Sequence, residues 1–118
     1  MYGLPSNIDL TFLHGRELLQ VCIGMHQVIL NFYGQLSISI ESEYAHRSRS
    51  GEVTRYEDCR LSASMLTSFV GLKISRATGT IDGTLTLCFS NEDVLEIYDD
   101  SKQHESYQIR NGSSLIVV

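Results

Sequence analysis

Leu85, Leu87 and Phe89 alternate with Thr84, Thr86, Cys88 and Ser90, and past a polar Ser90-Asn91-Glu92-Asp93 turn the apolar phase resumes at Leu95 and Ile97. Apolar residues at every second position predict strands with one buried and one wet face, so this stretch reads as a β-hairpin. The same pattern occurs earlier. Leu19, Val21 and Ile23 share a face opposite Gln20 and Cys22, Val28, Leu30 and Phe32 follow, and Leu36, Ile38 and Ile40 alternate with Ser37, Ser39 and Glu41. Gly34-Gln35 supplies the positive φ of a II′ turn, so residues 18–42 predict a three-stranded antiparallel meander. Ile8, Leu10 and Phe12 predict a short strand ahead of it. Tyr107 and Ile109, the Asn111-Gly112 pair and Leu115–Val118 predict a last hairpin.

The alternation lapses over 43–57, where Glu43, His46, Arg47, Ser48, Arg49, Ser50, Gly51 and Glu52 crowd together. This predicts a long surface loop with a short edge strand over Val53–Tyr56. The period then changes. Asp58 is placed to cap a helix, Leu61, Met65 and Phe69 recur at i, i+4 and i+8 with Leu66 beside them, and Gly71 stops it, which predicts one helix over about 59–70. Beyond it the meander repeats: Gly71 leads into a strand as Gly15 does, 84–90 parallels 27–33, and 94–98 parallels 36–40. The expected fold is one α+β domain over 1–118. It is mainly antiparallel sheet, two meanders of six to eight strands in all, forming a roll or half-barrel covered by the helix.

Charge adds a second layer. The chain carries a net charge of −5 over 118 residues. Basic and acidic residues balance up to Ile81, whereas Asp82, Glu92, Asp93, Glu96, Asp99, Asp100 and Glu105 are then interrupted only by Lys102, with Arg110 the one base that follows. An acidic field repels phosphate backbones and anionic membranes, so no nucleic-acid or membrane partner is expected, and a basic protein partner is. Cys22, Cys59 and Cys88 lack C-x-x-C spacing, and no signal peptide or transmembrane run is present. A cytoplasmic setting with free thiols is expected.

Candidate chemistry is sparse. His14, His26, His46 and His104 lack the spacing of a zinc site. Asp99, Asp100, His104 and Glu105 could assemble an oxygen-rich metal site, but acids at turns and edges are ordinarily just solvated. Gly79–Gly83 leads into a strand instead of a helix, so it lacks the amides that cradle phosphate. There is no G-x-S-x-G signature. The expectation is therefore no catalytic residues, no metal and no cofactor. Tyr33, Tyr44, Tyr56 and Tyr98 are expected to point outward or lie on loops, where tyrosine suits binding surfaces.

The order Leu66…Gly71-Leu-Lys-Ile, Asp82-Gly-Thr-Leu-Thr-Leu-Cys-Phe-Ser-Asn, Leu95-Glu-Ile, Glu105-Ser-Tyr-Gln-Ile resembles a group of small bacterial β-proteins. These carry DGxLxLxFSDG, LxI and YESYxI in that order. The likeness covers most of the chain and falls largely on fold-determining positions. Where the group closes its turn with Gly, this chain has Glu92-Asp93. The resemblance implies a fold and brings no catalytic residues. In size, acidity and setting the chain is also similar in type to bacterial immunity proteins. The implied function is non-catalytic: binding and neutralising a cognate toxin, a basic nuclease. The expected partner-binding residues are Asp82, Glu92, Asp93, Glu96, Tyr98, Asp99, Asp100 and Glu105. A small-molecule-binding β-barrel is the alternative, with a small hydrolase behind it.

Overall fold

A computed structural model describes Leu4 and residues 8–60, 63–100 and 105–118. Among the described residues ten strands occur, all paired antiparallel in two five-stranded sheets. They are β1 (Leu18–Ile23), β2 (Val28–Phe32), β3 (Leu36–Ile40), β4 (Tyr44–Arg47), β5 (Val53–Tyr56), β6 (Ile74–Gly79), β7 (Leu85–Phe89), β8 (Val94–Ile97), β9 (Tyr107–Asn111) and β10 (Ser114–Val117). The first sheet runs β1-β2-β3-β9-β10 and the second β5-β4-β8-β7-β6. Inward residues of both share one core, including Leu30, Ile38, Ile40, Leu87, Leu95 and Ile97, each fully buried.

The strong alternations become strands as expected: β2, β3 and β7 each bury their first, third and fifth residues. Ten strands exceed the expected six to eight, and 43–57 is not one long loop: the edge strand expected over Val53–Tyr56 is present as β5, and Tyr44–Arg47 adds β4. The two form the β4–β5 hairpin, with Tyr44 opposite Tyr56 on one side and Ile97 on the other. Its burial does not alternate, since β5 is an edge strand and exposed over its first three residues. Tyr44, expected outward, is fully buried and donates its hydroxyl to the Cys59 carbonyl at 3.2 Å. Burial, with Cys59, Tyr56 and Asp58 nearby, pushes its phenol pKa well up.

Three further expectations are corrected. Residues 8–12 make no strand, because Asp9 Oδ1 accepts the Thr11 backbone N–H (2.9 Å) and hydroxyl (2.7 Å), turning the chain into a 3-10 turn at Thr11–Leu13. In β1 a bulge between Leu18 and Gln20 breaks the phase, so Leu18 is buried and Leu19 is 50% exposed. The β2–β3 connection occupies Tyr33 to Gln35, between paired Phe32 and Leu36. Both Gly34 (φ 85°) and Gln35 (φ 62°) are left-handed, whereas a II′ turn needs only its first central residue so.

The helix is also shorter and tighter than expected. It is a 3-10 helix over Ala63–Phe69, burying Ala63, Leu66 and Phe69 at intervals of three. That interval matches three residues per turn and replaces the expected four-residue stripe, of which Leu61 lies outside the described residues. Thr67 donates its hydroxyl to the Ser64 carbonyl (2.6 Å) and Ser68 to that of Met65 (2.8 Å). These bonds span three residues and favour the tighter winding over an α-helix. Asp58 Oδ1 accepts the Arg60 N–H (2.9 Å) and so shapes the turn before the helix.

Candidate functional site

β4 lies beside β8, and this pairing decides the surroundings of the acidic stretch. Ala45 stands opposite Glu96, and Arg47 opposite Val94. Glu96 and Arg47 are diagonal neighbours on the outer face, and Arg47 Nη2 lies 3.0 Å from Glu96 Oε1. One row along, Arg55 is paired with Ala45. Arg55 Nε donates to Glu43 Oε2 at 2.5 Å, its Nη2 lies 3.7 Å from Asp100 Oδ2, and its guanidinium carbon sits 4.3 Å from the centre of the Tyr98 ring. Ala45 is only 1% exposed although it stands in an outer row, so the long side chains on either side cover it.

At the other end of the hairpin, His46 Nε2 lies 3.1 Å from Asp93 Oδ2, and Asp93 Oδ1 accepts the Arg49 backbone N–H at 2.9 Å. The imidazole meets Phe69 edge-on at 5.3 Å between centres, and Arg49 reaches Glu92 at 3.6 Å. Partial burial raises the Asp93 pKa, but the bonds from His46 and the Arg49 amide outweigh it and hold the carboxyl below its ordinary range.

The eight residues expected to bind a partner therefore separate into groups. Glu92, Asp93, Glu96, Tyr98 and Asp100 are brought together along β8 and its two ends: Glu92, Glu96, Tyr98 and Asp100 each meet an arginine of the β4–β5 hairpin, and Asp93 meets the His46 imidazole. Asp82 stands apart. The Thr80 hydroxyl and the Thr84 backbone N–H bond its Oδ1 and hold its carboxyl below the usual range. Asp99 is buried at 6% exposure and accepts the Ser106 hydroxyl at 2.7 Å. Beside it the Tyr107 hydroxyl donates to the Gly83 carbonyl at 2.6 Å. Glu105 is half-buried next to Ser106.

Charges segregated along the sequence are thus interleaved in space. The residues missed from sequence are Glu43, His46, Arg47, Arg49 and Arg55. The available signal was the Arg-rich composition of 43–57, which a neighbouring acidic strand would attract.

Among the described residues no group of three or more His, Cys, Asp and Glu is arranged to hold a metal, and His104 of the considered metal set lies outside them. Cys22, Cys59 and Cys88 are free thiols. No helix among the described residues is long and apolar enough to cross a membrane. An open cleft of about 620 Å³ is lined by His26, Glu41, Glu57, Asp58, Cys59 and Arg60. Its charged lining differs from the mainly apolar walls of small-molecule pockets. No family model, curated protein or solved structure matches the chain.

Proposed function

We propose that the protein is a non-catalytic binding protein whose contact surface is the outer face of the second sheet around Arg55 and Tyr98. Its partner on this reading is a basic protein, and the concrete form is an immunity protein that neutralises a cognate bacterial toxin in the cytoplasm. The observation that carries this is the ordered Arg55–Tyr98–Glu43–Asp100 group beside Arg47–Glu96. Arg and Tyr dominate the energetics of protein interfaces, and side chains already held by neighbours lose less freedom on docking. Ion pairing makes the patch nearly neutral at contact range, while the net charge of −5 still draws a basic partner from a distance.

The test is to sequence the neighbouring gene for a secreted protein with a toxic C-terminal domain and to score survival of cells making that domain with the chain supplied in trans. Protection by the native chain is expected, with loss for the Arg55→Ala/Tyr98→Ala double variant. Glu92→Lys/Asp100→Lys should slow association several-fold at low salt. No protection by the native chain, or full protection by the double variant, overturns the reading.

A further inference from the structure

Each sheet is a three-stranded meander extended at its third strand by a hairpin, and in each case the hairpin comes from the other half of the chain. β1-β2-β3 is completed by β9-β10, and β6-β7-β8 by β4-β5. The correspondence holds residue by residue. Leu18 pairs with Phe32 before the β1 bulge, and Ile74 pairs with Phe89 before an identical bulge in β6. Ile40 faces Tyr107 and Ile97 faces Tyr44, and both tyrosines are fully buried with their hydroxyls bonded to carbonyls.

Where the two meanders meet, the backbone bonds are reciprocal. Gly15 N–H donates to the Ile74 carbonyl (2.7 Å) and Gly71 N–H to that of Leu18 (2.8 Å). Leu18 N–H donates to Leu72 (2.9 Å) and Ile74 N–H to Arg16 (3.0 Å). Glu17 and Lys73 form an antiparallel bridge between these pairs. Exchanging the halves turns each bond into its mate, which is the signature of an isologous two-fold interface.

We propose that the chain is two fused copies of one repeat, joined as a two-fold dimer that exchanges hairpins, and that the interface between the halves also fits a half from a second copy of this chain. Only the 57–62 connection links β5 to the second 3-10 helix. Two chains opened there can trade halves and keep every strand pairing. The short connection holds its own half at an effective concentration on the order of millimolar, so the closed monomer dominates in dilute solution. This inference stands independently of the binding function.

The test uses the full chain with a protease recognition segment inserted between Arg60 and Leu61. After cleavage of the folded protein, the halves should stay associated at the size of the intact molecule. When mixed with an isotopically heavy copy and taken through unfolding and refolding, they should form light–heavy pairs at the statistical ratio in native mass spectrometry. Release of either half as a folded monomer, or recovery of parent pairs alone, overturns the proposal.

Should the insertion prevent folding, amide exchange of the unaltered chain decides. The slowest amides of β2 and β7 should exchange within roughly tenfold of each other, because neither half holds a complete sheet. A difference of about a hundredfold or more would mean that one half is stable alone, and overturns it.

Discussion

Gly83 and Gly71 form a matched pair for an experiment on the Asp99 end of the core. Both are left-handed, with φ of 91° and 92°. A Cβ at Gly71 would meet nothing within 4 Å, whereas one at Gly83 would fall 2.5 Å from Asp99 Cβ and 2.6 Å from its Oδ2. Alanine at either site carries the left-handed penalty of about 1–2 kcal/mol. At Gly83 the added methyl must also displace a buried carboxylate that holds the Ser106 hydroxyl. Overpacking of this kind costs about 1–3 kcal/mol, and loosening the buried hydrogen bond adds about 1. Gly83→Ala should therefore cost about 3–6 kcal/mol and Gly71→Ala about 1–2. At this chain length each kcal/mol lowers Tm by roughly 3–5 °C. Urea denaturation of both variants at neutral pH measures the gap. If they agree within about 0.5 kcal/mol, the close approach of Gly83 to Asp99 is refuted. A large gap assigns Asp99 to the fold and removes it from any docking surface.

Other substitutions probe the remaining features. Asp93 has a folded pKa below its ordinary value, so its stabilisation is present above the unfolded value and lost as pH falls through the folded one. Asp93→Ala should cost about 1–3 kcal/mol at pH 7 and less once acid has protonated the carboxylate, in urea titrations, and an equal cost at every pH would refute the charged-carboxylate account. Glu92 is left-handed (φ 73°), so Glu92→Gly should raise stability by about 0.5–1 kcal/mol, and a lowered denaturation midpoint would count against it. Leu66 is fully buried and Met65 only partly, so Leu66→Ala should cost about 2–5 kcal/mol and Met65→Ala distinctly less. The reverse order would mean a four-residue register in the helix.

The legible parts of the fold were those where local pattern and tertiary role agree. β2, β3, β7 and β8 alternate because each has a neighbour on both sides and one face in the core, and the repeat was visible as two glycines leading into similar strands. β4 was hidden because its stabilising contacts are largely remote, whereas the edge strand β5 was legible over Val53–Tyr56. Tyr44 is buried between Ile97 of the other half and Tyr56 of its own, and Arg47 is placed by Glu96, distant in sequence. Glu96, Tyr98 and Asp100 lie near one another because they follow one another along β8 and its end. Their arginine partners, and the burial of Asp99, depend on a strand order that no local pattern encodes.

The crossed hairpins also set a schedule for synthesis. β3 receives its second neighbour, β9, only after residues 107–111 have been made. Until then the first meander carries an open edge flanked by apolar Leu36, Ile38 and Ile40, a template for pairing with other nascent chains. Folding of this sheet must therefore await residues 107–111 and draw on contacts distant in sequence, which places it among slow folders on the millisecond-to-second scale. A chain cut short before β9 would lack that partner strand and should collect in aggregates.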